Sequence, residues 1–168
     1  MKLEMDIKLE KLSLKHSDGL RRCFNNKDVV KTLTGIKFPF TLDASKRYIK
    51  ESVSNKTKFE FAIIIEGKAV GTIVLENPNS NKKIFELGYV IAKPYWGKGI
   101  ATQAVKEILK FAFNDLKLKK VWAVIVSNNP ASGRVLEKAG FKLEGKQEKQ
   151  VFQNNRYYDE LLYGYLRV

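Results

Sequence analysis

The sequence predicts a mixed α+β domain built around one sheet, and three patterns carry that expectation. Phe59-Glu60-Phe61-Ala62-Ile63-Ile64-Ile65 and Ala69 to Leu75 are rich in β-branched residues and are joined by Glu66-Gly67-Lys68, as in an antiparallel hairpin. Val121 to Val126 is a near-continuous apolar run, which suits a strand buried on both faces and parallel to a neighbour. Two helical patterns alternate with strands in the second half of the chain. With 168 residues and 44% hydrophobic side chains, the chain fits one domain over residues 1–168, burying roughly 70% of its unfolded surface.

The elements follow in order. Ile7 to Leu14 alternates apolar and polar residues and reads as a first strand. Asp18 to Asn55 is mainly helix and loop, with a turn at Phe38-Pro39-Phe40 and a helix beginning at Thr41. After the hairpin and the Asn77-Pro78-Asn79-Ser80-Asn81 turn, Ile84 to Ile91 forms a fourth strand, where Gly88 suggests a bulge. A helix then opens at Gly97-Lys98-Gly99, and Ile100, Ala101, Ala104, Val105, Ile108, Leu109 and Ala112 make its apolar stripe. The next helix has Asn129 as N-cap, Pro130 in its first position and Gly140 beyond its end. Phe141 resumes extended chain, and Tyr158 to Leu166 is a last amphipathic strand.

Composition removes several chemistries. One Cys (Cys23) precludes an internal disulfide, a CxxC pair and a thiolate zinc cage, and one His (His16) precludes HExxH and every His-cluster metal site. Cys23 reads as a small buried hydrophobe and His16 as a surface loop residue. The N-terminus lacks a signal peptide's apolar stretch, and no run approaches the ~18 apolar residues of a membrane span. A mature protein of the reducing cytoplasm, with no membrane partner, is expected.

The net charge is +13, from 31 Lys and Arg against 18 Asp and Glu. It divides evenly, +7 over residues 1–84 and +6 over 85–168, and only 6 of the cations are Arg. Read along the chain this is a general bias rather than a nucleic-acid footprint, and it argues against direct nucleic-acid binding.

Pro94-Tyr95-Trp96-Gly97-Lys98-Gly99-Ile100-Ala101-Thr102 is the most informative stretch. A glycine-rich turn entering a helix leaves main-chain N–H groups unpaired at the positive end of the helix dipole, where phosphates bind without a metal. It is not a Walker A loop, and Thr102 stands where a dinucleotide fingerprint needs Gly or Ala. Taken alone, the glycines could equally serve only to shape the turn.

Together with Asn129-Pro130-Ala131-Ser132, Glu137-Lys138-Ala139-Gly140-Phe141, Glu86-Leu87-Gly88-Tyr89-Val90-Ile91, Glu144-Gly145 and Tyr158-Asp159, this stretch resembles the Gcn5-related N-acetyltransferase (GNAT) superfamily. More narrowly it looks like the Rim-type ribosomal-protein N-terminal-alanine acetyltransferases. The resemblance runs from about residue 7 to the C-terminus. It implies a mostly antiparallel sheet, flanked by helices and splayed between parallel fourth and fifth strands, with acetyl-CoA as co-substrate in the gap and no metal. By motif matching, the backbone of Tyr89, Val90 and Ile91 would hold the pantetheine amides. Trp96, Gly97, Lys98, Gly99, Ile100, Ala101 and Thr102 would wrap the pyrophosphate, and Asn129 would reach the pantetheine arm. A bulge at Gly88 would free an N–H for the thioester oxyanion.

The family's reaction is direct attack of an amine on the thioester, which needs a base to deprotonate the ammonium and an acid for the leaving thiolate. Glu86 is the candidate base, equally readable as a solvent-facing strand carboxylate. Ser132 is the candidate acid, because Leu136 occupies the position where many relatives carry Tyr. An ordinary first-turn helix serine is the competing reading. Trp96 departs from the usual Arg or Gln of the turn. The aromatic residues Phe152, Tyr157, Tyr158, Tyr163 and Tyr165 could line an acceptor pocket or simply form core and rim.

The resemblance makes the α-amine of a protein or peptide the expected acceptor. The rivals are a polyamine or aminoglycoside acetyltransferase and, from another class, a non-catalytic acyl-CoA sensor or a nucleic-acid- or ribosome-binding module. A +13 chain repels polycations at long range unless its pocket is locally acidic. Family analogy is also compatible with a homodimer.

Overall fold

A computed structural model describes residues 5–33 and 35–167. The strands are β1 (Lys8–Lys11), β2 (Lys58–Ile65), β3 (Lys68–Glu76), β4 (Ile84–Ile91), β5 (Lys120–Val126), β6 (Lys142–Gln153) and β7 (Arg156–Leu166). The helices are α1 (Ser17–Phe24), α2 (Lys27–Val30), α3 (Leu42–Ser54), α4 (Ile100–Lys110), which widens into a π turn over Phe111–Asp115, and α5 (Pro130–Lys138). The strands form one sheet in the order β1-β2-β3-β4-β5-β7-β6, antiparallel throughout except for β4 and β5. The mixed α+β class and the parallel fourth and fifth strands are as the sequence predicts.

Each face of the sheet has its own core. On one, Phe85, Leu87 and Ile91 of β4 pack with Ile100, Ala104, Val105 and Ile108 of α4 and Leu136 of α5. On the other, Leu20, Cys23, Phe24 and Ile49 from α1 and α3 pack with Ala62 and Ile64, and Val90 joins them. The period of two along a strand produces this division. Full burial of Ile63, Ile73, Val105 and Ile108 contributes about 1.5–3 kcal/mol each. The carboxylate of Glu60, buried on β2, accepts from the hydroxyls of Tyr48 and Ser52 and pairs with Lys58 at 3.1 Å, which pins α3 to the sheet.

Four sequence expectations change. β1 stops at Lys11, and Leu14 lies exposed in a short 3-10 turn that runs into α1. His16 is buried, not on a surface loop: its Nδ1 accepts from Ser13 N–H at 3.1 Å and its Nε2 lies 3.2 Å from Glu10. The first bond fixes the proton on Nε2, which donates to the carboxylate. β5 is not buried on both faces. Val121, Ala123 and Ile125 are inside, whereas Trp122 and Val124 are half-buried because α1 to α3 cover the other half of the sheet.

Gly88 makes no bulge. The β3–β4 register is unbroken through Val74↔Gly88, and the irregularity lies on β3, where Val70 is the extra residue opposite Ile63 and Ile64. The late aromatics divide into core and rim, one of the two readings the sequence left open. Phe152 and Tyr157 pack with tilted rings, centroids 4.9 Å apart, on an exposed hairpin tip, Tyr163 is buried with its hydroxyl on Glu137 at 3.0 Å, and Tyr165 packs on Phe113 and Phe141. Asn154 and Asn155, both with positive φ (51° and 59°), form the β6–β7 turn. Cys23 is a buried hydrophobe as expected, its thiol pushed up to about 12 by burial.

Candidate active site at the fork of the sheet

β4 and β5 pair only over Ile84↔Lys120, Phe85↔Val121 and Glu86↔Trp122. Beyond Glu86 they diverge, while β5 stays paired with β7 to Val126↔Glu160. Ala92 N–H donates to Val70 C=O at 2.8 Å, and this bond sets the phase of the strand. Even-numbered residues of β4 turn their main-chain groups to β3, and odd-numbered ones turn theirs to the gap. Tyr89 therefore offers both N–H and C=O to the gap, and Ile91 offers its N–H. The main chain of Val90 faces β3, opposite Thr72, so only its neighbours can meet a ligand in the gap. An added strand-like ligand is the natural complement of such unpaired groups.

The carbonyl of Ile91 has a partner of its own. Trp96 Nε1–H donates to it at 2.7 Å, closing the turn back onto the end of β4. This gives the departure from Arg or Gln a purpose, since the indole occupies the last gap-facing acceptor. Gly97 and Gly99 have φ of 71° and 79°, and a Cβ on either would meet nothing within 4 Å. Backbone conformation, not crowding, requires glycine here. Gly99 caps α4 with no side chain, so the N–H groups of Ile100, Ala101 and Thr102 lack an intrahelical partner at the positive end of the dipole. The first turn of α4 has no acidic residue to compete for them. Ile100 can contribute only its N–H, because its side chain is in the core. Lys98, exposed, lies 5.5 Å over the ring of Tyr95. The free N–H set and the cation fit a diphosphate.

Across the gap, Asn129 caps α5 by accepting from Ser132 N–H at 3.4 Å, while its amide donates to Ser132 Oγ at 3.0 Å. The serine hydroxyl keeps its own proton to give. Among the described residues the second amide hydrogen of Asn129 has no acceptor. Tyr89 joins the two walls: its hydroxyl donates to the main-chain carbonyl of Ser132 at 3.1 Å. Burial pushes this phenol up to about 12, so it remains a protonated donor. The motif reading assigned Tyr89 by its backbone and missed this use of the side chain, which depends on how β4 and α5 meet.

Glu86 stands at the point of divergence, opposite Glu76 on β3 and Trp122 on β5. Its carboxyl is raised above the ordinary value, chiefly by burial and then by the charges of Glu76 and Glu160. By strand alternation its side chain lies on the α1–α3 face, whereas Ser132 belongs to α5 on the other face. The candidate base and acid thus flank the fork from opposite sides. A cavity of about 440 Å³ lies beside it, lined by Ile84, Trp122 and Leu162 with the Lys120–Glu144 ion pair. Among the described residues no cluster of His, Cys, Asp or Glu could hold a metal, and no helix is long and apolar enough to cross a membrane.

Comparison with known proteins agrees with this architecture. The model of the acetyltransferase (GNAT) domain matches residues 6–142. The "Putative ribosomal N-acetyltransferase YdaF" of Bacillus subtilis is 33% identical over 108 residues, 64% of this chain and 59% of that protein. The spermidine N(1)-acetyltransferase of Escherichia coli is 24% identical over 151 residues, 90% of this chain and 81% of that protein. The crystal structure of a GNAT-family acetyltransferase from Bacillus anthracis superposes with a TM-score of 0.84 at 27% identity, covering 99% of this chain and 98% of that one.

Proposed function

The chain belongs to the acetyltransferase (GNAT) family, and on that premise we propose that it transfers acetyl from acetyl-CoA directly to a primary amine held beside Glu86. One observation carries the direct route: Glu86 and Ser132 flank the fork from opposite faces, so an amine and a leaving thiolate meet different proton-transfer groups. Cys23, the only thiol, is buried inside the α1–α3 core and is no acyl carrier.

In this reading Glu86 removes the ammonium proton, directly or through water, and the free amine attacks the thioester carbon. The carbon–sulfur bond then breaks, the thiolate takes a proton from Ser132, and the proton shed by the new amide nitrogen returns through water to the serine. The N–H of Tyr89, which faces the gap, suits the thioester oxygen in place of an N–H freed by a bulge at Gly88. The α4 N-terminus with Lys98 suits the pyrophosphate, and Asn129 with Tyr89 and Ile91 suits the pantetheine arm.

The acceptor supported first is the α-amine of a protein or peptide. Its ordinary pKa of roughly 7.7–8.0 asks less of a carboxylate base than an alkylamine does. The Rim-type motifs and the similarity to a protein named as a ribosomal N-acetyltransferase point the same way. A second reading is a small polycationic amine. Glu76 and Glu160 both act on Glu86, which makes the fork acidic and offsets the long-range repulsion of a +13 chain. Thiol release from acetyl-CoA should be measured over N-terminal peptides, spermidine and aminoglycosides. Turnover of peptides alone supports the first reading, and turnover of polyamines alone replaces it with the second. Stabilisation by CoA without transfer to any amine would leave a sensor.

A further inference from the structure

The end of the sheet opposite the Trp96–Gly99 turn gathers cations that are scattered in sequence. The carbonyl of Lys83 accepts from the N–H groups of Lys119 and Lys120 at 2.9 and 3.2 Å, and that of Lys119 accepts from Arg167 N–H at 3.0 Å. Lys83, Lys119 and Arg167 therefore stand side by side at the ends of adjacent strands. Lys142 opens β6 opposite Gly164, and Lys56 and Lys82 precede β2 and β4. From β2 to β6 the strand ends span roughly 24 Å at the usual inter-strand spacing. All six cations are exposed, and the ion pairs described at this end, Lys58–Glu60 and Lys120–Glu144, use none of them.

Within this row lies a cavity of about 450 Å³, with Lys56 and Lys82 in its lining and Phe59, Phe85, Leu116 and Leu118 as its apolar wall. The rings of Phe59 and Phe85 are 6.0 Å apart. Asn77 also lines it, and Asn77 Oδ1 is buried with no hydrogen-bond partner among the described residues. A buried acceptor without a donor is uncommon, and a turn of the Asn77 side chain would offer it to an N–H that enters the cavity.

We propose that this end of the sheet binds single-stranded nucleic acid, with phosphates along the row and one base in the cavity donating an N–H to Asn77. Lysine side chains are point charges that suit backbone phosphates, and an aromatic-walled cavity suits a base face. A lipid chain would leave the Asn77 oxygen unpaired. Counting charge along the sequence could not reveal the row, because it draws on the ends of β2, β4, β5, β7 and β6. The site is separate from the fork, so its failure would leave the acetyl-transfer reading standing.

The test is fluorescence anisotropy of labelled 12-nucleotide RNA and DNA strands at 50 and 200 mM salt. The unsubstituted protein should bind with a strong salt dependence. The K56E/K82E/K119E variant should bind at least 10-fold more weakly, with the log–log salt slope smaller by about 2. K46E/K50E/K106E, an equal charge change on α3 and α4, should stay within about 2-fold. Asn77→Ala should weaken RNA or DNA binding roughly 3- to 10-fold while leaving inorganic polyphosphate binding unchanged. Acetyl transfer to a small amine should be unaffected in the lysine variants. Equal losses in the two triple variants would overturn the proposal. So would oligonucleotides binding no better than polyphosphate of equal charge, or binding confined to anionic phosphatidylserine vesicles.

Discussion

Tyr89 on β4 and Ser132 on α5, 43 positions apart in sequence, are joined across the open fork by a 3.1 Å hydrogen bond from the phenol to the serine carbonyl. The residue that presents its main chain to the gap thereby also fixes the helix start that carries the candidate acid. Tyr89→Phe keeps the ring and removes the bond. Stability should fall by about 1 kcal/mol and kcat by about 10-fold. In a double-mutant cycle with Ser132→Ala the effects on kcat should be non-additive. A lower Tm with unchanged kcat would reduce the bond to a structural tie.

Glu86→Gln should lower kcat/KM by about 100-fold or more, the usual weight of a general base. The acid limb of the native pH–rate profile should lie above the ordinary carboxylate range, because burial and then Glu76 and Glu160 disfavour the charged form. In the variant that limb should vanish, and the residual rate should climb towards the pKa of the amine. An unchanged profile removes Glu86 from the role.

The same raised pKa has a consequence for stability. Folding favours the protonated carboxyl, so its stabilising contribution is present below the unfolded pKa and is lost as pH rises through the folded one. Glu86→Gln should therefore raise Tm at neutral and alkaline pH, with the difference closing at acidic pH. Thermal scans across pH would refute this if the variant were less stable throughout.

Trp96→Phe removes the indole donor from Ile91 C=O while keeping an aromatic ring in the turn. KM for acetyl-CoA should rise about 5-fold, equivalent to about 1 kcal/mol, with KM for the amine unchanged. Equal effects on both substrates would mean that the turn supports the whole fork and not the cofactor side.

Gly99→Ala should cost about 1–2 kcal/mol through the left-handed conformation alone, since no atom lies where the new methyl would go. Gly99→Asn should recover much of that loss, because Asn tolerates the conformation better. Denaturation with and without CoA checks the pair. Equal losses for Ala and Asn would point to crowding by a bound ligand instead.

Much of the fold was legible because it is written in local patterns. The β2–β3 hairpin, the strand limits of β4 and the N-cap of α5 follow from β-branched runs, turn residues and the Asn129-Pro130 start. Where expectation and structure part, the cause lies outside the segment concerned. His16 is buried because α1 and Glu10 close over it, and Trp122 is half-exposed because no helix covers that part of the sheet. Which of the late aromatics are core and which are rim is not legible in sequence, because apolar side chains carry no mark of the hairpin tip on which Phe152 and Tyr157 stand.

The site divides in the same way. The sequence alone determined the glycine turn at Gly97 to Gly99, the cap at Asn129 and the scarcity of Cys and His, since each depends on residue type and spacing over a few positions. Only the tertiary structure decided which main-chain groups of β4 face the gap, that Trp96 occupies the Ile91 carbonyl, that Tyr89 bridges to Ser132, and that five lysines and Arg167 gather at the ends of five strands on one end of the sheet. These depend on strand register and on where β4 and β5 part. Both are set by the packing of two cores on opposite faces, to which residues far apart in the chain contribute together.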